Sequence, residues 1–249
     1  MLEVLHHSGG VLAIAKPAGL PTQAVAGVES VEGLIRRQLF GGAYTAACAA
    51  GRTRHPGGFL GVPHRLDRPV SGLLLLATRP RAARKLSRQF ERRQIEKTYL
   101  AVVHAVGVAP RAVGELFAWR DAIRKIPDEA RAEIVAPGTP TSREAVTDGR
   151  VLAARGAWLL VQLHPRTGRT HQLRLQAAAR GLLMLGDRLY GEPTGDAATA
   201  ESPMALHAWS LRYRDPETDE PITLTCPVPG LPLWQDWRAE LPASPAKVP

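Results

Sequence analysis

Residues 64–77 (HRLDRPVSGLLLLA) place a charged cluster directly before an apolar run. The run at residues 73–77 has the length and composition of a buried β-strand. Asp67 stands before it, between Arg65 and Arg68. Cations on both sides favour the ionised carboxylate, which can accept hydrogen bonds or act as a nucleophile. Asp67 is therefore a candidate catalytic residue, and the alternative is a turn residue paired with a neighbouring Arg.

Short apolar runs separated by Gly and Pro extend outward from this segment. Strands are predicted over residues 11–15, 73–77, 99–103 and 158–163, and a hairpin over 206–213 and 221–226. Helices are predicted from a cap at Ser30 through residue 39, and over residues 79–94, 170–180 and 231–241. Residues 41–62 predict a long loop and residues 107–150 short hairpins. Because strands and helices mix without regular βαβ alternation, we expect an α+β fold, with a mixed, largely antiparallel central sheet flanked by helices and loops.

The composition is that of a globular protein. Of 249 residues, 45% are hydrophobic and 22% charged, which excludes a wholly disordered chain. One catalytic domain is expected over residues 1–240, with a flexible tail at 241–249. The start, MLEVLHHSGG, lacks the pattern of a signal peptide, and no stretch reaches the roughly 18 apolar residues of a membrane span. Cys48 and Cys226 are too few for a disulfide framework. We therefore expect a cytoplasmic protein without membrane contact, and a monomer by default.

The formal net charge of +9 is concentrated in two segments. Residues 64–97 carry ten Lys or Arg against three acidic residues, and residues 164–190 carry five Arg against one Asp. Such clusters favour a polyanionic partner, RNA above all, because each neutralised phosphate releases counterions. Arg84 and Arg88 lie on the outer side of the predicted 79–94 helix, where a solvated charged face is the alternative. At 5% aromatic residues, a broad base-stacking platform is not expected.

Two other chemistries are weighed on the same residues. His64, His164 and His171 with Asp67 suggest metal ligands, but no H-E-x-x-H spacing is present. Ser71 lacks the G-x-S-x-G setting of a hydrolase nucleophile. We therefore expect no metal site and no hydrolase nucleophile. A metal-dependent hydrolase stays open as a third hypothesis, which sensitivity to chelators would test.

Six segments, taken together and in order, resemble the RluA-type RNA pseudouridine synthases. The segment around Asp67 is similar to the family's central motif, with Val70 where Thr is usual. The other segments are KPAGLP at 16–21, KTYLA at 97–101, residues 163–174 centred on TGRTHQ, LGD at 185–187 with YG at 190–191, and LHA at 206–208. The resemblance covers roughly residues 10–230 and implies the pseudouridine synthase fold. Members of the family often carry an N-terminal RNA-binding module before the first motif. Because the first motif here begins near residue 11, we expect no such module and expect the catalytic domain itself to capture RNA.

The resemblance further implies the reaction and its residues. Uridine in structured ribosomal or transfer RNA is isomerised to pseudouridine, without a cofactor, after the base has been flipped out of its stack. Asp67 is the implied catalytic residue and Tyr99 an active-site residue. Arg169 is expected to pair with Asp67, with Arg166 as its rival. The expected RNA contacts are His64, Arg65, Arg68, Arg84, Arg88, Lys97 and Arg166.

The sequence leaves the chemical route open. Asp67 could attack the sugar carbon C1′ or help remove the C2′ proton on the way to a glycal. Tyr99 could stack on the base or act as an acid or base near C5. The leading alternative function is an inactive RNA-binding or chaperone protein on the same fold, motivated by the same Arg clusters.

Overall fold

The computed structural model describes residues 1–25, 27–49, 57–109, 111–191 and 203–243. Within these residues, eleven strands form one sheet. They are β1 (Val4–Ser8), β2 (Val11–Lys16), β3 (Ser71–Ala77), β4 (Glu96–Ala105), β5 (Leu116–Lys125), β6 (Ala132–Val135), β7 (Arg143–Arg155), β8 (Trp158–Pro165), β9 (Leu182–Met184), β10 (Leu206–Arg214) and β11 (Pro221–Thr225). The helices are α1 (Val31–Ala49), α2 (Pro80–Glu91), α3 (Gln172–Ala178) and α4 (Pro232–Gln235), and a 3-10 turn follows at Arg238–Glu240.

The sheet is mixed and almost wholly antiparallel, as expected. Its strand order is β1-β2-β3-β10-β4-β8-β7-β5-β6, with β11 added to β10 and β9 to β4. Strands β3 and β10 run parallel, with Ser71 opposite His207 and Gly72 opposite Ala208. At Gly72 φ is +117°, and a Cβ there would lie 2.3 Å from the Ala208 carbonyl oxygen. Glycine is therefore required where the strand that follows Asp67 meets β10.

Strand β3 is buried on both faces, which explains its unbroken apolar sequence. Leu74 and Leu76 pack into the larger core cluster, and Leu73 and Leu75 pack on the opposite face. Leu86 of α2 lies in that second cluster. The strand predicted at residues 73–77 is confirmed, and its two packed faces make it a rigid support for the loop that carries Asp67.

Three predicted elements differ from the structure. The predicted loop at 41–62 is wrong at its start, because α1 continues to Ala49 and breaks only at Gly41 (φ 46°, ψ −121°); residues 50–56 lie outside the described part. The region 107–150 contains long strands, since β7 alone spans 13 residues. The last helix is confined to α4 and the short turn after it. The tail predicted at 241–249 lies outside the described residues from 244 onward.

The helices that the structure describes include none both long and apolar enough to cross a membrane.

Candidate active site

Asp67 lies in the extended loop before β3, and the residues on either side of it are anchored. The backbone N–H of Leu66 donates to Thr22 Oγ1 at 3.1 Å, and the same hydroxyl donates to the Leu66 carbonyl at 2.9 Å. The Arg68 carbonyl accepts from Lys16 Nζ at 3.2 Å. These bonds join the Asp67 loop to the segment that follows β2, so the carboxylate has a fixed backbone on both sides.

Lys16 is the buried anchor of this junction. It is 1% exposed, and its Nζ also donates to the carbonyls of Pro17 and Leu20 at 2.9 and 2.7 Å. Burial lowers the pKa of Lys16 to about 7, against the opposing charge of Asp67. Through Lys16, the KPAGLP segment thus holds the loop that carries Asp67 in place.

A cavity of about 700 Å³ opens at Asp67. The Asp67 side chain is 33% exposed. Tyr99 on β4 lines the same cavity, and so do Lys97 and Arg169. The structure therefore brings together most of the residues that the sequence predicted for the site.

The cation that faces Asp67 is Arg174. Its Nη1 lies 3.5 Å from Asp67 Oδ2, and its Nε and Nη2 donate to the two oxygens of Asp187 at 2.8 and 2.7 Å. The side chains of Arg174 and Asp187 are 6% and 1% exposed. Burial opposes the charge of Arg174, but its hydrogen bonds to Asp187 and the two carboxylate charges outweigh burial and raise its pKa. Arg174 is thus a permanent cation beside Asp67.

The prediction that Arg169 pairs with Asp67 is wrong, and so is the alternative prediction that Arg166 does. Arg169 Nε donates to the Glu144 carbonyl at 2.9 Å, and Arg166 Nε donates to Asp148 at 2.6 Å. Both arginines precede α3, whereas Arg174 lies within it on the buried side. The helix, and not the loop before it, presents the guanidinium to Asp67.

Arg169 instead belongs to a basic wall of the cavity, which we define as Arg93, Lys97, Arg143 and Arg169. Lys97 Nζ donates to the Thr167 carbonyl at 3.1 Å. Burial, together with the charges of Arg169 and Arg93, lowers the pKa of Lys97 to about 8. Burial and the charges of Arg93 and Arg143 also lower the pKa of Arg169. A cavity wall with this excess of positive charge is suited to a phosphate.

Tyr99 contributes a phenol that makes no hydrogen bond among the residues that the structure describes. Burial and the negative charge of Asp67 raise its pKa above the usual value. The hydroxyl therefore stays protonated at neutral pH. Its chemistry there is that of a hydrogen-bond donor and an aromatic surface.

The remaining predicted RNA contacts divide into three groups. Arg65 is exposed and lines the cavity. His64 lines it too, but its ring stacks on Phe90 at 4.4 Å and its Nε2 accepts from the Leu75 N–H, while burial and Lys97 lower its pKa to about 3. Arg84 and Arg88 are exposed on α2, outside the cavity.

A second cavity of about 940 Å³ is also lined by Asp67. Arg65, Arg68 and Asp67 line it together with residues 128–130, which belong to the turn between β5 and β6. Arg68 also donates to the Gly19 carbonyl at 2.9 Å. Since Asp67 and Arg65 line both cavities, the loop that carries them forms part of the boundary between the two.

Four site residues were given no part in the predicted reaction: His171, which was weighed only as a metal ligand, and Arg174, Asp187 and Tyr190. His171 Nδ1 lies 2.9 Å from the Tyr190 hydroxyl, and His171 Nε2 lies 3.9 Å from Asp67 Oδ2. The Tyr190 ring lies under the Arg174 guanidinium, 5.2 Å from Cζ to the ring centroid. A signal was present, because all four lie in the segments 163–174, 185–187 and 190–191 that carry the resemblance.

Among the described residues, no three or more His, Cys, Asp or Glu side chains lie where they could together hold a metal ion.

Comparison with known proteins gives a consistent result. The family model for RNA pseudouridylate synthase matches residues 10–179. The chain is 33% identical over 235 residues to tRNA pseudouridine synthase C of Yersinia pestis, covering 90% of this chain and 86% of that protein. It is 33% identical over 239 residues to ribosomal large subunit pseudouridine synthase D of Xanthomonas campestris, covering 92% of this chain and 66% of that protein.

A solved structure is similar as well. Human RNA Pseudouridylate Synthase Domain Containing 1 superposes with a TM-score of 0.68 at 27% identity, covering 93% of this chain and 85% of that chain. This chain spans 94% of the length of one curated relative and 52% of the length of another.

Proposed function

The chain belongs to the RluA-type RNA pseudouridine synthases, a family of isomerases, and we propose that it acts on a uridine of ribosomal or transfer RNA with Asp67 as the catalytic carboxylate. In this reaction the N1–C1′ bond of the uridine breaks, the uracil turns, and C5 bonds to C1′. The relatives named above act on transfer RNA in one case and on ribosomal RNA in the other, which supports both substrate classes.

The observation that carries this proposal is the placement of Asp67. Its carboxylate is one-third exposed to a cavity and faces Arg174, whose orientation is fixed by the buried Asp187. A preorganised charge pair costs no reorganisation during reaction, which is the usual source of electrostatic catalysis. Asp67 attacks C1′ or removes the C2′ proton, and Arg174 stabilises the carboxylate in either route.

Tyr99 supports the same site as a base-contacting residue. Its raised pKa keeps the phenol protonated, so the ring packs against the flipped uracil and the hydroxyl donates a hydrogen bond. Because water would convert the sugar intermediate into an abasic site, a closely packed ring also excludes solvent.

RNA binding rests on the basic wall and on two further groups of cations. We assign Arg169 to the basic wall, with Lys97, as a contact to the phosphates that flank the flipped nucleotide. Arg65 lines both cavities, a position suited to filling the gap that the flipped base leaves. Arg68 lines the second cavity, and His64 lines the first, where its ring stacks on Phe90.

Arg84 and Arg88 extend the positive surface along α2 beyond the cavity. They contact the RNA backbone farther from the target uridine. The described residues between Val4 and Glu240 form a single sheet and the helices and turns around it, which supports one catalytic domain over residues 1–240 that both binds RNA and acts on it.

Carbodiimide mapping of pseudouridine tests this function. Total RNA from cells with and without the gene is compared, and the deletion strain is complemented with wild type or with Asp67→Ala. One or a few uridines of ribosomal or transfer RNA lose modification in the deletion strain and regain it with wild type only. An unchanged map in all strains, with RNA binding retained by the purified protein, would favour the inactive RNA-binding alternative.

A further inference from the structure

Pseudouridine formation requires a proton acceptor that the proposed function does not yet name. Once C5 has bonded to C1′, C5 still carries its hydrogen, whereas N1 carries none. The C5–H bond must break and N1 must gain a proton before the product is complete. General bases contribute roughly 10²- to 10⁴-fold to such proton transfers. The following inference rests on the proposed function and concerns this step.

Most titratable groups of the first cavity are poor acceptors at neutral pH. Tyr99 is protonated, because its pKa is raised. Lys97 has a pKa of about 8 and donates to Thr167. The Nε2 of His64 accepts a hydrogen bond from the Leu75 N–H and is not available for a second role as proton acceptor.

Three acceptors remain among the groups that line this cavity: Glu91, Asp67 and His171. Glu91 is exposed at the end of α2, whereas Nε2 of His171 lies 3.9 Å from Asp67 Oδ2. A carboxylate is a weaker base than an imidazole, and Asp67 also faces the cation Arg174. His171 lines both cavities, and its side chain is 13% exposed. Its backbone has φ 52° and ψ 23°, a left-handed conformation uncommon for a residue with a side chain, at the start of α3.

Tyr190 fixes which ring nitrogen of His171 carries the proton. The Tyr190 hydroxyl oxygen lies 2.9 Å from the Ala132 N–H and 3.2 Å from the Ala132 carbonyl, in addition to 2.9 Å from His171 Nδ1. All of these groups are satisfied when the hydroxyl donates to the carbonyl and accepts from the Ala132 N–H and from His171 Nδ1–H. His171 Nε2 then keeps its lone pair, 3.9 Å from Asp67 Oδ2.

The charges around the ring are consistent with a neutral imidazole that can take up a proton. Burial lowers the pKa of His171, and Arg174 lowers it further, whereas the carboxylates of Asp67 and Asp187 raise it. The ring is therefore neutral at pH 7. A proton that arrives at Nε2 lies beside the Asp67 carboxylate, which stabilises the imidazolium.

We propose that Nε2 of His171 is the base that accepts the C5 proton of the target uridine. The electron pair of the C5–H bond forms the C5=C6 double bond, the N1=C6 electrons move to N1, and N1 takes a proton from solvent. The imidazolium then releases its proton to water, which restores the neutral ring. His171 thereby joins Asp67 as a catalytic residue, and Tyr190 is the positioning residue that holds its tautomer.

Single-turnover assays on RNA transcribed with 5-protio or 5-deutero uridine test the proposal. The RNA is the ribosomal or transfer RNA that mapping identifies, and pseudouridine is measured in each product. The variants are His171→Gln, which keeps a hydrogen-bond acceptor but no base, and Tyr190→Phe, which keeps the ring under Arg174. His7→Gln is the matched control, because His7 is exposed on β1 and lines neither cavity.

We expect His171→Gln to form pseudouridine about 10²-fold more slowly or worse, and to show a primary deuterium isotope effect absent from wild type. Tyr190→Phe shows a smaller loss in the same direction. A His171→Gln variant with the wild-type rate overturns the proposal. So does a slow variant without an isotope effect, because that result assigns His171 a positioning role and leaves Asp67 as the base.

Folding and function are tested separately in the same experiment. Unchanged RNA affinity and unfolding midpoint in His171→Gln show that the variant is folded. If either changes, His171→Asn provides a second variant. If Asp67→Ala also forms pseudouridine, the proposed function fails. If Asp67→Ala is inactive while His171→Gln is fully active, only the present inference fails.

Discussion

Asp187 holds the guanidinium of Arg174 by two hydrogen bonds, at 2.8 Å to Nε and 2.7 Å to Nη2. The third nitrogen, Nη1, is left to face Asp67 at 3.5 Å. Asp187 also accepts from the backbone N–H groups of Leu189 and Tyr190 through Oδ1. The buried Asp187 carboxylate thus fixes the orientation of Arg174. Among the described Lys and Arg residues, Arg174 is the only one within ion-pair distance of Asp67.

Arg174→Lys tests whether fixed orientation matters beyond charge. Lysine keeps the positive charge but cannot donate in a fork to Asp187 and also reach Asp67. We expect the single-turnover rate of pseudouridine formation to fall about 10²-fold or more. The rate should fall with little change in RNA affinity. In Arg169→Lys, by contrast, binding should weaken slightly and the rate should remain close to wild type. Equal effects of the two substitutions on the rate would contradict the assignment of Arg174.

Asp187→Asn tests the energetic cost of breaking the buried pair. Removing one partner leaves an uncompensated charge in the interior, so the free energy of unfolding should fall by about 3–5 kcal/mol. Urea denaturation at pH 7 measures it. The matched control is Asp148→Asn, since Asp148 pairs with the half-exposed Arg166 at 2.6 Å. This substitution should lower the free energy of unfolding by no more than about 1 kcal/mol. Similar losses in the two variants would contradict the role given to Asp187.

Arg84→Gln combined with Arg88→Gln tests the RNA surface of α2. Each phosphate contact contributes about 0.7–0.9 to the slope of log affinity against log salt. The double variant should therefore lower the magnitude of that slope by between about 1 and 2, without changing the rate for bound RNA. Arg155→Gln is the control, because Arg155 pairs with Glu240 and lies outside both cavities. An unchanged slope would show that the RNA backbone does not contact α2.

His207 makes stability depend on pH in the acid range. It is 1% exposed, its ring nitrogens contact Ser71 Oγ at 2.9 Å and the Cys226 carbonyl at 3.0 Å, and burial lowers its pKa to about 4 from 6.5. The unfolded chain binds more protons between these values. Stability is therefore complete above pH 6.5 and falls as pH drops to 4, by about 3 kcal/mol from this residue. His207→Gln should flatten the dependence of the unfolding free energy on pH. His7→Gln should not, and an equally steep dependence in His207→Gln would contradict the assignment.

The sequence was sufficient for the strands with dense apolar patterns and for the central motif. The run at 73–77 needs burial on both faces, which its composition alone indicates. The region of β5 and β7 was misjudged, because β7 alternates buried with exposed residues and its polar positions obscured a continuous strand. Helix α1 was underestimated because Gly41 and Gly42 suggested an end, whereas the chain only bends at Gly41 and continues.

The site was predictable in its residue types but not in its pairing. Asp67, Tyr99 and Lys97 come together because β4 lies one strand away from β3 across β10, a register that no local pattern reveals. The prediction that Arg169, or its rival Arg166, pairs with Asp67 was wrong for a related reason. In the sequence, Arg174 stands between Leu173 and Leu175 in a short helix. Only the fold shows that the buried side of this helix faces the Asp67 loop.

The central claim is that the Asp67 carboxylate performs the isomerisation, and the most direct measurement compares Asp67→Asn with wild type on RNA labelled with tritium at C5 of uridine. Pseudouridine formation releases that tritium to water. We predict that Asp67→Asn binds the RNA with wild-type affinity and releases tritium roughly 10⁴-fold more slowly or not at all. Tritium release by Asp67→Asn at the wild-type rate would contradict the account.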